Sequence, residues 1–97
     1  MNAYVFPAKF ILREEGIGYH VSFPDLPGCN ARGYDLDESV RNAKVALEIH
    51  LSSYIESDEE MPKPSIISET TENEHEFIRM IEAEEKNIRD ILDSNFY

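Results

Sequence analysis

The feature that most constrains this fold is a proline- and glycine-rich turn between two short strand-like stretches, followed by a capped amphipathic helix. Residues 19–23 alternate apolar and polar side chains, as a half-buried strand does. Pro24 and Pro27 remove two backbone donors, and Gly28 allows a tight bend. Residues 29–33 place small side chains on one face of a second short strand. The sequence therefore predicts two strands that turn back on each other before the helix begins.

An earlier stretch, residues 4–13, predicts a longer strand. One face of it would carry Tyr4, Phe6, Ala8, Phe10 and Leu12. Residues 14–18 form a charged, glycine-containing hairpin turn between it and the next strand. Pro7 cannot donate to a ladder, so we expect that side of the strand to be an edge or to carry an irregularity. The three strands together predict an antiparallel meander.

The helix is predicted from Asp35 to about Ser57. Asp35 is a suitable N-cap, and Glu38 follows three residues later, as in a capping box. Apolar side chains then recur every three or four residues and form one stripe. The stripe consists of Leu36, Val40, Ala43, Leu47, Leu51 and Tyr54, widened by Ala46 and Ile49. After the helix, an acidic run precedes two prolines that favour an extended connection, Pro62 and Pro64.

The last third of the chain permits two interpretations. Residues 65–75 are polar and acidic and predict a solvated loop. Between residues 76 and 92, the spacing of Phe77, Ile81, Ile88 and Leu92 and the helix-forming composition favour a helix on pattern alone. A strand over residues 76–82 is the alternative, with Ile78 and Met80 facing the sheet.

Composition limits the class of protein. The chain has 97 residues, enough for one domain with a modest core. It has one cysteine, no apolar run of membrane-spanning length and no secretion signal, so we expect a soluble cytoplasmic protein.

Charge is distributed unevenly along the chain. The net charge is −11, of which −2 falls in residues 1–50 and −9 in residues 51–97. Such a field repels nucleic acid phosphates and attracts a basic partner, although solubility alone also accounts for acidic surfaces. The nine basic residues are dispersed, which argues against nucleic-acid binding by this chain.

No catalytic or metal-binding constellation is evident. The three histidines, His20, His50 and His75, are isolated and have no zinc-ligand spacing. Cys29 has no basic neighbour in sequence and is predicted to be a small core residue. We expect no catalytic residue, no metal, no cofactor and no enzymatic activity.

The run from Phe23 to Glu38 resembles the HicB family, the antitoxin halves of bacterial toxin–antitoxin pairs. The residues that carry the resemblance are Phe23, Pro24, Asp25, Pro27, Gly28, Gly33, Asp35 and Glu38. We expect their role to be structural. The match is close up to residue 64 and weaker beyond it.

The resemblance implies one α+β domain over residues 1–97. Its fold would be a reduced ribonuclease H-like fold, a small antiparallel sheet in the order β-β-β-α-β packed on one main helix. It favours the strand over residues 76–82, with a short helix over residues 84–93. A ribonuclease H-like nuclease would need acidic residues on the first strand, and residues 4–13 contain none.

The resemblance also implies a function: binding and steric neutralisation of a small basic HicA-like toxin that cleaves messenger RNA. Acidic residues would steer the encounter, with Asp58, Glu59, Glu60, Glu72, Glu74 and Glu76 as candidates. A homodimer or higher homo-oligomer is expected, and an orphan self-associating regulatory or structural domain is the alternative. About fifteen residues follow the last strand, too few for the DNA-binding segment that the family usually carries, so we expect no direct DNA binding.

Overall fold

A five-stranded antiparallel sheet in the order β3-β2-β1-β5-β4 forms the framework of the molecule. The computed structural model describes residues 3–13, 17–65, 70–73 and 75–94, and for residues 70–73 it describes the backbone. The elements are β1 (Ala3–Leu12), β2 (Tyr19–Ser22), β3 (Asn30–Gly33), α1 (Leu36–Glu56), β4 (Thr70–Asn73), β5 (Glu76–Glu84) and α2 (Glu85–Asp93). The predicted α+β class, the first three strands, the main helix and the strand and helix that follow it are confirmed.

β1 is the central strand of the sheet. It pairs with β5 from Ala3↔Glu84 to Ile11↔Glu76, along nearly its whole length. Its pairing with β2 is shorter and begins at Lys9↔Ser22, two residues after Pro7. β1 is not an edge strand, because β5 pairs along its other side. On the side that faces β2 the strand is unpaired at Pro7, in agreement with the prediction that one side of the strand would be an edge there. Pro7 is tolerated at a point that the β2 ladder does not reach.

The core lies between one face of the sheet and the two helices. Phe6, Ala8 and Phe10 alternate along β1 and are almost fully buried against α1, whose Leu47 and Leu51 are 0% exposed. The Phe10 and Phe77 rings stack with their centroids 5.2 Å apart. Each such large apolar side chain contributes about 1.5–3 kcal/mol on burial. The buried side chains of β1 and the apolar stripe of α1 thus belong to one hydrophobic core.

Close backbone approach between β3 and α1 requires glycine at position 33. A Cβ atom built on Gly33 would lie 2.5 Å from the backbone nitrogen of Ser39. Gly33 therefore allows the chain to leave the sheet and begin α1 directly above it.

The cap of α1 follows the predicted spacing with one difference. The Asp35 Oδ1 atom accepts a hydrogen bond from the Glu38 backbone N–H at 2.8 Å. The Glu38 carboxylate accepts from the backbone N–H of Tyr34 at 2.7 Å, instead of from Asp35 itself. Two N-terminal backbone donors are thereby satisfied.

Three predictions from the sequence are wrong in detail. Residues 65–75 are not a loop throughout, because Thr70–Asn73 forms β4 along the outer edge of β5, whose backbone groups offer a ladder to the β-branched threonines. On β5, the buried side chains are Phe77, Ile81 and Ala83, while Ile78 and Met80 lie half-buried on the opposite face. Ile49 does not widen the buried stripe of α1, since it is 53% exposed.

Candidate partner-binding surfaces

The turn between β2 and β3 combines a buried anchor with an unusual backbone angle. Phe23 and Leu26 are buried, and the Leu26 N–H donates to the Phe23 carbonyl at 3.0 Å. Gly28 has a φ of +90°, in the left-handed region that favours glycine. Pro24 and Pro27 are exposed at the rim of the turn. The turn is therefore a fixed structure seated in the edge of the core.

Asp25 connects this turn to the segment that follows α1. Its Oδ2 atom accepts from the backbone N–H of Ser65 at 2.8 Å, and its Oδ1 atom accepts from the Ser65 hydroxyl. The two residues are 40 positions apart in the chain. Because the contact joins residues so far apart in the chain, no local sequence pattern indicates it.

Asp58, Glu59 and Glu60, here called the acidic segment, follow the end of α1. The Asp58 N–H donates to the Ile55 carbonyl and the Glu59 N–H to the Tyr54 carbonyl, which is the bonding pattern of a Schellman cap. Asp58 has a φ of 57°, the one positive value at a non-glycine residue in the part of the chain that the structure describes. All three acidic side chains are exposed. The cap holds the acidic segment in a defined position.

The direction of α1 fixes where the acidic segment lies. The strand pairings place Gly33, from which α1 departs, level with Leu12 at the end of β1. Further along α1, Glu48 contacts Glu84, which pairs with Ala3 at the start of β1. α1 therefore runs antiparallel to β1, and the acidic segment lies beyond the end of the sheet where β1 begins.

The six acidic candidates do not form one cluster in the described residues. Glu76 pairs with Ile11, at the opposite end of the sheet from the acidic segment, and its carboxylate lies 2.7 Å from the Lys9 ammonium. Glu72 lies in β4, where the backbone alone is described, and Glu74 is outside the described residues. Their role in partner contact stays a prediction.

α1 carries exposed apolar side chains between its middle and the acidic segment. Val45 and Ile49 are one helical turn apart and are 51% and 53% exposed, and Ile55 near the helix end is 43% exposed. We call Val45, Ile49 and Ile55 together with the acidic segment the helix surface.

The sheet face opposite the helices is a second surface, here called the open face. Cross-strand partners share a face, so the pairings of β1 place Val5, Pro7, Lys9 and Ile11 there. The flanking strands add His20, Ser22, Asn30, Arg32, Glu76, Ile78, Met80 and Glu82. Val5 and Ile11 are 40% and 38% exposed. Both helices pack on the other face, since Ile88 of α2 and Leu47 of α1 belong to the same core.

Cys29 has the environment of a core residue. It is 3% exposed, and its Sγ atom lies 3.6 Å from the Ala46 carbonyl oxygen. Burial raises the pKa of its thiol to about 11, so the side chain is a neutral thiol near pH 7. Cys29 and His50 both line a shallow depression of the surface. The His50 Nε2 atom lies 3.4 Å from the Tyr54 hydroxyl oxygen.

Within residues 3–13, 17–65, 70–73 and 75–94, no group of three or more histidine, cysteine, aspartate or glutamate side chains could hold a metal ion. None of the helices in those ranges is both long enough and apolar enough to span a bilayer.

A family model, described as the HicB-like antitoxin of bacterial toxin–antitoxin systems, matches residues 6–88. The chain belongs to this HicB-like antitoxin family. Two curated proteins are similar to the HicB-like chain over about half its length. A 14.9 kDa protein of Haemophilus phage HP1 is 46% identical over 52 residues, covering 54% of this chain and 39% of the relative. A UPF0150 protein of Synechocystis is 34% identical over 50 residues, covering 52% and 63% respectively. The matched region thus spans less than two thirds of either relative.

Solved structures of antitoxins share the fold of this HicB-like chain. A chain of a toxin–antitoxin complex from Streptococcus pneumoniae superposes with a TM-score of 0.79 at 25% identity, covering 98% of this chain and 76% of that one. The N-terminal domain of the Burkholderia pseudomallei antitoxin HicB superposes with a TM-score of 0.60 at 21% identity, covering 80% and 95%. The antitoxin HicB3 does so with a TM-score of 0.65 at 17% identity, covering 94% and 81%.

Proposed function

We propose that this protein is an antitoxin that binds a small basic HicA-like toxin and blocks its cleavage of messenger RNA. The observation that carries the proposal is the family match over residues 6–88, supported by the likeness to a chain of a toxin–antitoxin complex over 98% of this chain. The mechanism is steric: the bound antitoxin covers the surface that the toxin needs for RNA. Such a mechanism needs no catalytic group, metal or cofactor on the antitoxin.

The helix surface is the proposed contact for the toxin. Protein interfaces combine an apolar centre with a polar rim. Val45 and Ile49 would supply the centre, and the acidic segment would supply a negatively charged rim on the same element. A basic partner is attracted to such a rim before contact, which raises the association rate more than the affinity.

Co-expression with the toxin gene from the native locus tests the function. We expect the tagged chain to recover a basic protein of about 60–80 residues, a size implied by the family resemblance, and to restore growth of cells that produce it. Recovery of no such protein together with continued growth arrest would contradict the proposal.

Two matched double variants test the contact surface. Val45→Gln with Ile49→Gln removes apolar side chains from the helix surface, whereas Val5→Gln with Ile11→Gln removes similarly exposed side chains from the open face. We expect the helix pair to weaken toxin binding about 10-fold or more, equivalent to about 1.4 kcal/mol, and the sheet pair to leave it unchanged. If the sheet pair weakened toxin binding more than the helix pair, the open face would be the contact for the toxin.

Self-association is the second candidate function. It is favoured by the open face, where Val5 and Ile11 stay partly exposed on the central strand and no described helix packs. Light scattering on the purified chain without a toxin tests it. A homodimer or larger oligomer is the expected result, and a monomer at all concentrations would exclude it.

A further inference from the structure

β3 is one of the two edge strands of the sheet, and its hydrogen bonds show which backbone groups face outwards. The sheet order places β2 on one side of β3 and no described strand on the other. The Phe23 N–H donates to the Cys29 carbonyl at 3.3 Å, so Cys29 and every second residue after it bond towards β2. Asn30 and Arg32 therefore direct their N–H and C=O groups away from the sheet.

The ladder between β1 and β2 leads to the same assignment. The Arg13 N–H donates to the Gly18 carbonyl at 3.0 Å, so the even-numbered residues of β2 bond towards β1. Their cross-strand partners in β3 are Asn30 and Arg32. The backbone groups of these two residues thus have no bonding partner in β2 and form the outer edge of the sheet.

This outer edge is largely unpaired. The Arg32 carbonyl accepts from the side-chain amide of Asn42 on α1 at 2.8 Å. The Asn30 N–H, the Asn30 carbonyl and the Arg32 N–H have no hydrogen-bond partner among the described residues. Because an unpaired strand edge is a template for another strand, β3 offers two donors and one acceptor to an extended chain.

α1 runs beside this edge and forms a wall along it. Asn42, Ala46 and Ile49 follow one another at helical spacing, so they lie on one side of α1. That side faces β3, since Asn42 bonds to Arg32 and Ile49 borders a shallow depression together with Asn30. We call Asn30, Arg32, Asn42, Ala46 and Ile49 the edge groove.

Two shallow depressions lie at the two ends of the edge groove. One has a volume of about 370 Å³ and is bordered by Arg32 and Asn42. The other has a volume of about 270 Å³ and is bordered by Asn30 and Ile49. These volumes lie near or below the lower limit for small-molecule sites, about 300 Å³. They suit single side chains of an extended segment, which strand addition places in pockets beside the edge.

We propose that an extended segment of the toxin adds to β3 as a further strand and lies in the edge groove. This inference rests on the antitoxin role proposed above and names a contact within it. Ile49 belongs both to the helix surface and to the edge groove, so a toxin seated on the helix surface reaches the groove directly. Main-chain hydrogen bonds to Asn30 and Arg32 hold the segment in place.

The two depressions differ in chemistry, and this difference constrains the segment. Arg13 and Arg32 border the larger one, and neither forms an ion pair with another described residue. Glu38 also borders it and already accepts a backbone hydrogen bond. Ala46 and Ile49 border the smaller depression. We expect the segment to direct a carboxylate towards the two arginines and an apolar side chain towards Ala46 and Ile49.

Amide hydrogen exchange tests the strand addition directly. It is measured by NMR on the free chain and on its complex with the toxin from the native locus. We expect the N–H groups of Asn30 and Arg32 to exchange at least 10-fold more slowly in the complex. The Ala31 N–H, which already bonds towards β2, is the internal reference and should change much less.

A proline substitution tests the same contact by removing one outward donor. Asn30 is the first residue of β3, a position where proline is tolerated, and its N–H takes no part in the ladder. We expect Asn30→Pro to weaken toxin binding at least 10-fold, and Asn30→Ala, which keeps the N–H, to weaken it less than 3-fold. Calorimetry measures the two dissociation constants, and circular dichroism verifies that both variants keep the fold.

The outcomes separate this inference from the antitoxin role. Toxin capture with unchanged exchange at Asn30 and Arg32, or equal weakening by Asn30→Pro and Asn30→Ala, would overturn the strand addition and leave the antitoxin role intact. Slower exchange of both amides in the toxin-free chain as its concentration rises would make a second copy the occupant and would also overturn it. If no toxin is captured, the antitoxin role falls, and this inference falls with it.

Discussion

At the scale of single residues, Asp58 occupies a position that usually belongs to glycine. It is the first residue after the C-cap Ser57, and its φ is 57°. Glycine adopts this conformation without the steric cost that a Cβ atom brings. An aspartate there adds a negative charge to the acidic segment at some cost in stability, in keeping with a role in partner contact.

Replacing Asp58 with glycine separates these two effects. We expect Asp58→Gly to raise the free energy of unfolding by about 0.5–1 kcal/mol, because the backbone strain is relieved. Asp58→Ala, which keeps a Cβ atom and therefore the backbone strain, should show no such increase. Urea denaturation of the three proteins measures the order, and a less stable glycine variant would contradict it.

Cys29 predicts a dependence of stability on alkaline pH. Its pKa is raised from the ordinary 9.0 to about 11 by burial, so the folded state binds the thiol proton more tightly than the unfolded state. The resulting stabilisation is complete below pH 9 and is lost as the pH rises towards about 11.

The Cys29→Ala variant isolates that contribution. The difference in unfolding free energy between the native chain and Cys29→Ala should shrink as the pH rises from about 9 to about 11. Chemical denaturation at several pH values measures it. A difference that stays constant over this range would show that the thiol does not titrate as described.

At the scale of elements, one buried carboxylate joins the two helices. The Glu48 Oε2 atom accepts from the Glu84 N–H at 3.0 Å and from the Asn87 side-chain amide at 2.9 Å, and lies 3.3 Å from the Lys44 ammonium. Glu84 is the N-cap residue of α2, and its own side chain makes no cap hydrogen bond. α1 therefore supplies the cap that α2 lacks.

Removing this carboxylate should release α2 from the rest of the fold. A helix of nine residues is marginal by itself, and Glu48→Ala would remove the acceptor of two partly buried donors. We expect a loss of about 1–3 kcal/mol in unfolding free energy and faster hydrogen exchange at the α2 amides.

Glu56→Ala is the matched control, because Glu56 is an exposed glutamate on the same helix. Glu56→Ala should change the unfolding free energy by no more than about 0.5 kcal/mol. The hydrogen-exchange rates of the α2 amides should stay nearly the same. Equal effects of the two variants would exclude a special role for Glu48.

The elements also show what the sequence alone could determine. The α1 helix and its N-cap follow from Asp35, Glu38 and the apolar stripe, all local signals. β5 does not: Phe77 and Ile81 are four apart, as on a helix, and also lie on one side of a strand. The contact of Glu48 with Glu84 spans 36 positions and leaves no local signal.

At the scale of the whole molecule, charge is organised into two surfaces of different character. The helix surface ends in three exposed acids, whereas the open face carries both signs, with Arg32 on one side of β1 and Glu82 on the other. The sequence predicted the overall acidity and named the acidic candidates. Their separation between two ends of the sheet depends on strand order, which no single stretch of sequence encodes.

Neutralising the acidic segment tests its role in steering. We expect Asp58→Asn, Glu59→Gln and Glu60→Gln together to slow toxin association several-fold at low salt, with the difference fading as ionic strength rises. Stopped-flow or surface-based kinetics across a salt series measures it.

The control for this triple variant removes the same number of charges elsewhere. Asp37→Asn, Asp90→Asn and Asp93→Asn alter exposed acids on the helices outside the acidic segment. A smaller reduction in association rate is expected from this control. Equal reductions would mean that total charge, and not its placement, governs the encounter.

The hydrogen bonds between Asp25 and Ser65 have a further consequence for recognition. The chain between α1 and Ser65 is held at both ends, by the helix cap at one and by Asp25 at the other. A loop already confined in this way has little conformational entropy left to lose when a ligand docks. The most recognisable turn in the sequence would then strengthen binding from a distance, by keeping a different part of the chain ready.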